Sequence, residues 1–294
     1  MRCWTKAFLS KGVRIRTSHP PVARVLDQLL ATLPGSVSEP TLEFTLETVN
    51  EGCVVGFPDG SEQVGDTVWD AFYALESFVY DRILPEEQDC LVVHGAAVFP
   101  LDSSGVLLIA GPSHCGKSTL SLALVSAGDF RYMSEEAFGI RLNGSIVAYP
   151  KPFRIRFGGE CLVADRPEWI VAGRTGTGIR YVLPPSEVVS SRAEHSRIRW
   201  LLFPKFVADS RCEAERMAKA EAVAWLANCS TNRPEFLASQ LRRLPEWLEE
   251  AEAWRLQWSD PGEVVRFVRS LIRDSRSTEF GAGRDASPVP GSRH

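Results

Sequence analysis

The residues best suited to chemistry lie in a short stretch near the middle of the chain, residues 111–118, which reads Gly-Pro-Ser-His-Cys-Gly-Lys-Ser. This is the pattern G-x-x-x-x-G-K-[ST], in which backbone N–H groups surround a chain of phosphates. An apolar run, residues 106–110, precedes it, and residues 119–125 predict a helix after it, whose start adds partial positive charge. Strand, loop and helix in this order indicate a nucleoside triphosphate site. The alternative is a glycine-containing turn with a solvated lysine.

Each residue type of this phosphate loop, residues 111–118, has a task in such a site. Lys117 is expected to be an exposed cation that reaches the β- and γ-phosphates, and the Ser118 hydroxyl is expected to hold Mg²⁺. The predicted nucleotide-binding set consists of Gly111, Ser113, His114, Cys115, Gly116, Lys117, Ser118 and Thr119.

Two adjacent acids, Glu135 and Glu136, follow a short predicted strand that comes soon after the loop and its helix. Phosphoryl transfer needs Mg²⁺ to bridge the phosphates and a carboxylate to receive the proton of the attacking hydroxyl. The pair could divide these two tasks, and a solvated acidic turn fits the spacing equally well. Asp165 is the next acidic candidate, but the Arg166-Pro167 that follows it favours a helix or loop over a metal-binding strand.

His94 lies on the predicted strand that precedes the loop strand in the sequence. Neighbouring strands of an α/β sheet end close to the phosphate site. A histidine there could contact the γ-phosphate or orient the acid pair, and a purely structural histidine is the alternative.

The rest of the sequence narrows the class of nucleotide-binding protein. It contains no [NT]-K-x-D motif, which argues against a GTPase, and no L-S-G-G-Q signature, which argues against an ABC ATPase. The formal net charge of −4 gives no basic surface for nucleic acid. Seven scattered cysteines without a C-x-x-C pair favour a reducing cytoplasm over disulfides or zinc. Neither a signal peptide nor an apolar stretch of membrane-spanning length is recognisable, so we expect no membrane partner.

Hydrophobic periodicity predicts the elements that must position these residues. Residues 1–89 predict an α+β segment with a hairpin and a helix at 67–83. Beyond the acid pair, strands are predicted at 199–205 and 254–258. Helices are predicted at 212–228, 237–252 and 261–272. Residues 275–294 are rich in Gly, Pro, Ser and Arg and are expected to be disordered.

Four segments, in this order, resemble the HPr kinase-like proteins, a family of bacterial serine kinases. They are His94-Gly95-Ala96-Ala97-Val98, residues 111–119, Tyr132-Met133-Ser134-Glu135-Glu136, and Tyr149-Pro150-Lys151-Pro152. Over residues 90–272 the chain looks most like the short HPr-kinase-related proteins of peptide-modifying gene clusters, including lasso-peptide precursor kinases.

The resemblance implies an α/β fold with a P-loop kinase core of the HPr kinase and phosphoenolpyruvate carboxykinase type, built on a mixed sheet. Residues 1–89 would be an α+β N-terminal extension, residues 90–274 the P-loop domain with a helical C-terminal part, and residues 275–294 the tail. His94 would line the phosphate site, and Glu135 and Glu136 would supply a metal contact and the catalytic base. We favour Glu136 as the base and Ser118 with Glu135 as the metal ligands.

The predicted activity is transfer of the γ-phosphoryl group of ATP, with Mg²⁺, to a hydroxyl, most readily a Ser of a peptide or protein. ATP rather than GTP rests on the missing guanine motif and on the resemblance. The family usually has Asp-Asp where this chain has Glu135-Glu136, which leaves a non-catalytic nucleotide-binding regulatory or scaffold module as an alternative. A small-molecule kinase is a second alternative. A peptide or protein acceptor is the expected partner, and a homo-oligomer is left open.

Overall fold

Three mixed or antiparallel β-sheets and seven α-helices build the described part of the chain. The structure, a computed structural model, describes residues 1–9, 11–35, 39–49, 52–156, 159–190, 197–232 and 234–281. The fold is therefore mixed α/β, as the sequence predicts.

The first sheet is formed by the N-terminal segment. Its strands lie in the order β1-β2-β3-β4-β5, and β2 and β3 are parallel because helix α1 connects them. The predicted hairpin of β3 and β4 is confirmed by their antiparallel pairing. The bounds are β1 Arg2–Phe8, β2 Lys11–Thr17, α1 Pro20–Leu29, β3 Leu42–Val49, β4 Gly52–Gly56 and β5 Glu62–Gly65.

Helix α2, Val68–Phe78, covers this sheet and continues as a π-helical turn over Val79–Ile83. It begins with a capping box, in which the Thr67 side chain accepts a hydrogen bond from the Asp70 N–H and the Asp70 carboxylate accepts one from the Thr67 N–H. Phe72 on its apolar face is fully buried. The predicted helix at 67–83 is confirmed.

The second sheet has eight strands, and the third, small sheet has three. The second has the order β10-β9-β6-β7-β14-β16-β15, with β8 also paired to β6, and the third has the order β11-β13-β12. Strands β7, β14 and β16 run parallel to one another. The bounds are β6 Cys90–Pro100, β7 Gly105–Ala110, β8 Phe130–Ser134, β9 Ala137–Arg141, β10 Ile146–Val147, β11 Phe153–Ile155, β12 Ile170–Arg174, β13 Arg180–Leu183, β14 Arg197–Phe206, β15 Glu213–Arg216 and β16 Glu252–Trp258.

Helices cover both faces of the eight-stranded sheet. Alternate residues of β7 separate into two buried clusters, because successive side chains of a strand point to opposite faces. Leu107 packs in the cluster that contains Leu120 and Val268, and Leu108 packs in the one that contains Leu226 and Leu244. Helices α3 and α7 thus cover one face, and α4 and α6 cover the other. The bounds are α3 Lys117–Ser126, α4 Lys219–Asn228, α5 Pro234–Leu241, α6 Leu244–Trp247 and α7 Pro261–Gly281.

The C-terminal part is less helical than predicted, because strands of the central sheet lie within it. The helix predicted at 212–228 begins only at Lys219, since the alternating stretch before it pairs antiparallel with β16 as β15. The helix predicted at 237–252 is divided into α5 and α6, and its last residue belongs to β16. Pro245 lies in the first turn of α6, a position that proline tolerates.

The last helix is longer than predicted. It continues to Gly281, so the tail boundary expected at residue 275 falls inside it. Val264, Val268 and Leu271 pack on the sheet, and no Gly or Pro occurs between residues 263 and 280 to end the helix. Residues 282–294 lie outside the described residues.

The structure shows the state of the cysteine side chains and the length and apolar character of the helices. All seven cysteines are free thiols. No helix in the described ranges is both long enough and apolar enough to cross a bilayer.

Candidate functional site

The phosphate loop leaves the carboxyl end of β7 and enters α3. Gly116, the N-cap residue of α3, has a left-handed φ of +97°, and no side chain caps the helix. A Cβ at Gly116 would lie 2.5 Å from Cζ2 of Trp258, so both the backbone conformation and the neighbouring ring require glycine. The first N–H groups of a helix have no intrahelical partners, which suits this helix start to a phosphate site.

Lys117 is buried, which corrects the expectation of an exposed cation. Its side chain turns into the loop, and Nζ donates hydrogen bonds to the carbonyl oxygens of Gly111, at 2.9 Å, and Pro112, at 2.8 Å. The residue is only 7% exposed because the carbonyls of its own loop satisfy the ammonium. The third donor of the ammonium faces Cys115 Sγ, 4.0 Å from Nζ, a weak acceptor that a phosphate oxygen could replace.

The acid pair occupies an interruption between two strands that share one partner. Strand β8 pairs with residues 97–100 of β6 and β9 pairs with residues 90–94, and Glu135 and Glu136 lie between them. The N–H of Gly95 donates to the Glu136 carbonyl at 3.1 Å. Glu136 has a left-handed φ of +69°, which is uncommon for a residue with a Cβ. The break in strand pairing directs both acids toward the phosphate loop. Both acids and several residues of that loop line the same cavity.

Glu135 contacts the phosphate loop directly. The Ser118 hydroxyl donates to Oε1 of Glu135, and the Ser121 hydroxyl donates to Oε2 at 3.2 Å. Burial raises the pKa of Glu135 above its ordinary value, against the opposing effects of Lys151 and of the Ser118 hydrogen bond. The residue is 1% exposed, so the alternative of a solvated acidic turn is wrong for it.

Glu136 is held by a cation instead. Its Oε2 lies 2.6 Å from Nη2 of Arg154. Burial alone would raise the pKa of Glu136, but Arg154 and, to a smaller extent, Lys151 and His94 lower it to about 2. The carboxylate is therefore charged at any physiological pH.

His94 lies against Glu136 of the acid pair. Its Nδ1 is 3.0 Å from the Glu136 carbonyl oxygen, and because a carbonyl only accepts, Nδ1 carries the proton. Nε2 is buried and has no hydrogen-bond partner among the described residues. Burial, helped by the nearby Lys117 charge, lowers the pKa of His94, so its ring is neutral at pH 7. His94 thus positions the backbone of Glu136.

A buried group of charges that no sequence pattern indicated lies behind the acid pair. Glu76 of α2 lies 3.4 Å from Nζ of Lys151 and 3.9 Å from Nε of Arg154, and the Tyr181 hydroxyl donates to it at 3.0 Å. The nearest sequence signal is the alternation of residues 153–156, Phe-Arg-Ile-Arg, which places two arginines on one face of a strand. No comparable signal marks Glu76, which lies within an apolar helix.

Two cavities meet at the phosphate loop. The larger, about 610 Å³, includes Thr119, Phe206 and Trp258 in its lining. It lies at the carboxyl ends of the parallel strands β7, β14 and β16, where ligands bind in open α/β sheets. The smaller, which we name the acid-pair cavity, is about 340 Å³ and is lined by both acids, His94, Ser113 and Tyr73, among others. His114, Lys117, Ser118, Arg154 and Arg156 line both.

The predicted site residues are thereby brought together. All residues of the predicted nucleotide-binding set belong to the loop and the first turn of α3. Glu135 and Ser118 form the one direct link between the acids and that loop in the described residues. No group of three or more His, Cys, Asp or Glu among the described residues is arranged to hold a metal. One carboxylate and one hydroxyl are nevertheless the donor set that suits Mg²⁺, which keeps waters and takes phosphate oxygens as further ligands.

Comparisons with known proteins find a likeness among solved structures. No family model matches the chain, and no curated protein matches its sequence. Among solved structures, the chain is similar to the HPr(Ser) kinase/phosphatase from Coxiella burnetii, with 14% sequence identity and a TM-score of 0.30. That likeness covers 65% of this chain and 93% of the other.

Proposed function

We propose that the chain is an ATP-dependent phosphotransferase that passes the γ-phosphoryl group to a hydroxyl, most readily a Ser of a peptide or protein. One observation carries the proposal. The phosphate-loop hydroxyl of Ser118 is bonded to the buried carboxylate of Glu135, and Glu136 lies beside it in the lining of the acid-pair cavity. The segments that resemble HPr kinase-like proteins support the same reading.

The larger cavity is the nucleotide side. Its volume of about 610 Å³ suits a nucleoside triphosphate. Phe206 is 50% exposed and stands edge-on to Trp258, with ring centroids 5.4 Å apart, so it offers an aromatic surface for a base. The phosphates would then lie against the loop N–H groups and Lys117.

Ser118 and Glu135 would hold the metal ion. Bound there, Mg²⁺ would neutralise part of the charge of the phosphate oxygens. The Ser121 hydroxyl bond to Oε2 fixes the Glu135 carboxylate, so Oε1 stays beside Ser118.

The acid-pair cavity is the acceptor side. There Glu136 would accept the hydrogen bond of the acceptor hydroxyl and orient its oxygen toward the γ-phosphorus. As the new O–P bond forms, the bond from phosphorus to the β–γ bridging oxygen breaks, ADP leaves, and the hydroxyl proton passes to Glu136 and then to water. Because the transition state is loose, little proton transfer is needed before bond breaking, and a carboxylate of low pKa is sufficient.

A non-catalytic nucleotide-binding module is the second candidate. It is favoured by the 2.6 Å ion pair of Glu136 with Arg154. In this ion pair, the carboxylate that the reaction would use is already bound to a cation. In that case ATP would bind in the same cavity without transfer.

Labelled ATP separates the two functions. The protein is incubated with Mg²⁺, ATP labelled in the γ-phosphate, Ser-containing peptides and small alcohols, beside the variants Glu136→Gln and Glu135→Gln. We expect transfer to peptide, a fall of roughly 100-fold in Glu136→Gln with ATP affinity retained, and loss of the Mg²⁺ response in Glu135→Gln. Glu168→Gln, at an exposed acid outside both cavities, serves as the control. Tight ATP binding without transfer to any acceptor would favour the non-catalytic module.

A further inference from the structure

Most basic residues around the two cavities already have a hydrogen-bond or ion-pair partner within the described part of the chain, and one does not. Lys117 donates to two loop carbonyls, Arg154 is paired with Glu136 and Glu76, and Lys151 lies against Glu76. Arg156 is exposed and has no ion-pair partner among the described residues. It is therefore a cation whose guanidinium is available to a ligand.

The position of Arg156 is set by strand geometry. It directly follows β11 and is two residues beyond Arg154, so both side chains leave the strand on the same side. Arg154 reaches the acid pair, and Arg156 lines both the larger cavity and the acid-pair cavity. Arg156 is thus one of five residues that border both cavities.

We propose that Arg156 binds the phosphoryl group during its transfer, an inference that rests on the proposed function. It contacts γ-phosphate oxygens of bound ATP and contacts them more strongly as charge develops between the two cavities. A guanidinium presents five N–H donors in a plane and matches two oxygens of one phosphoryl group at once. Since no ion pair has to be broken first, its whole charge acts on the phosphoryl oxygens.

The proposal assigns a defined part of the reaction to Arg156. The acceptor oxygen forms its bond to phosphorus while the bond to the bridging oxygen breaks, and the proton goes to Glu136. Negative charge is then spread over the equatorial oxygens of the phosphoryl group, and Arg156 neutralises it. Arg154 cannot take this part, because its Nη2 and Nε face Glu136 and Glu76.

The test compares ATP with ADP, which lacks the group that Arg156 would contact. Equilibrium binding of each nucleotide with Mg²⁺ is measured for the full chain and for Arg156→Ala and Arg156→Lys. Arg174→Ala is the matched control, because Arg174 is also an exposed arginine at the end of a strand in the same small sheet and lines neither cavity. Transfer rates with a peptide acceptor are measured on the same four proteins.

We expect Arg156→Ala to weaken ATP binding by about 10-fold while ADP affinity stays the same, and to slow transfer by about 100-fold or more. Arg156→Lys should recover part of the ATP preference, since it keeps the charge but loses the planar fork. Equal losses for ATP and ADP, or no loss for either, would overturn the role of Arg156 alone. Failure of the unaltered chain to bind either nucleotide would instead overturn the proposed function, and this inference with it.

Discussion

Glu136 combines an unusual backbone with an unusual charge environment. Its φ of +69° is left-handed, and its carboxylate is held by Arg154. Such conformations cost on the order of 1 kcal/mol or more for a residue with a Cβ and persist where the surroundings enforce them. Here the enforcing contacts are the Gly95 N–H and the His94 ring, which both bond to the Glu136 carbonyl. Strain at this residue is thus tied to the position of its carboxylate.

The ion pair of Glu136 predicts a specific dependence of stability on pH. The pKa of Glu136 is lowered from 4.5 to about 2 in the folded chain, so the folded state binds its proton less readily than the unfolded state. The resulting stabilisation is fully present above pH 4.5 and is lost as the pH falls toward 2. In urea unfolding, the stability difference between the unaltered chain and Glu136→Gln should therefore shrink between pH 6 and pH 3.5.

Glu168→Gln provides the comparison for this measurement, since Glu168 is exposed. Its stability difference from the unaltered chain should stay nearly constant over the same pH range. A constant difference for Glu136→Gln as well would mean that Arg154 does not stabilise the charged carboxylate.

Lys117 should affect both the loop and the ligand. Replacing it with Met keeps the volume of the side chain but leaves the carbonyls of Gly111 and Pro112 without their donor. We expect a loss of about 1–3 kcal/mol in unfolding free energy and at least a 10-fold loss in ATP affinity. Calorimetric titration and thermal unfolding measure the two effects. Unchanged ATP affinity alongside a lower melting temperature would make Lys117 only a structural residue of the loop.

Local sequence pattern identified the candidate site residues but not the residues that pair with them. Ser118, Glu135, Glu136 and His94 were found from motif and strand order, and the structure brings them together. The burial of Lys117 was not predictable, because its partners are backbone carbonyls, which every sequence has. Arg154 and Glu76 were missed because their pairing joins distant parts of the chain, which no local pattern records.

At the scale of elements, the phosphate loop lies against β16 at Gly116, beside the Trp258 ring. Gly116→Ala would place a Cβ at φ +97° and 2.5 Å from the Trp258 ring. Gly128 has a similar φ of +90° with nothing within 4 Å of the added Cβ, so Gly128→Ala measures the backbone effect alone. We expect Gly128→Ala to cost about 1–2 kcal/mol and Gly116→Ala to cost more and to weaken ATP binding.

Unfolding curves and nucleotide titrations on these two variants check this prediction. Equal losses of stability in the two variants, with ATP affinity unchanged, would contradict it. Such a result would show that the loop can shift away from the Trp258 ring and that this close packing has no role in ATP binding.

Helix α2 should stabilise the site through one buried carboxylate. Glu76→Gln leaves Lys151 and Arg154 with excess positive charge in the interior, which costs about 3–5 kcal/mol when a buried pair is broken on one side. The double variant Glu76→Gln/Lys151→Met removes one cation as well and should recover part of that loss. Chemical denaturation of both variants measures these losses of unfolding free energy. A double variant no more stable than the single one would show that excess buried positive charge is not the cause of the loss.

Helices and strands with a clear hydrophobic periodicity were predicted from the sequence. Strands that are defined only by pairing with another strand were not. The strands on both sides of the phosphate loop and the helix after it follow from apolar runs of the right length. Strand β15 has the sequence Glu-Ala-Glu-Arg and was assigned to a helix, because only its pairing with β16 makes it a strand. Helix α7 was placed correctly but ended too early, since composition indicated disorder where the helix continues.

For the whole molecule, the N-terminal 89 residues contribute to the interior and to the site. Cys90, Val92 and Tyr149 share a buried cluster with α1, α2 and the first sheet. Tyr73 of α2 lines the acid-pair cavity, and its ring lies 5.0 Å from the Arg154 guanidinium carbon. We therefore propose that the boundary at residues 89 and 90 separates two parts of one folding unit.

A chain that begins at residue 90 should lack a cooperative thermal transition, because it loses Glu76 and exposes this cluster. A chain that ends at residue 281 keeps all of α7 and should melt within a few degrees of the full chain. Calorimetry of the two truncated chains tests this, and cooperative melting of the first would show that residues 90–294 fold alone.

The order of strands in the central sheet has a consequence for synthesis on the ribosome. Strand β16 pairs in parallel with β14 and supplies Trp258, the ring that lies against Gly116, although it is made long after the phosphate loop. At about 5–20 residues per second, the loop leaves the ribosome roughly 7 to 28 s before that ring does. During this interval the nascent chain holds its phosphate loop without the wall that completes the larger cavity. Under the proposed function, a nucleotide would therefore meet the complete larger cavity only after β16 has joined the sheet.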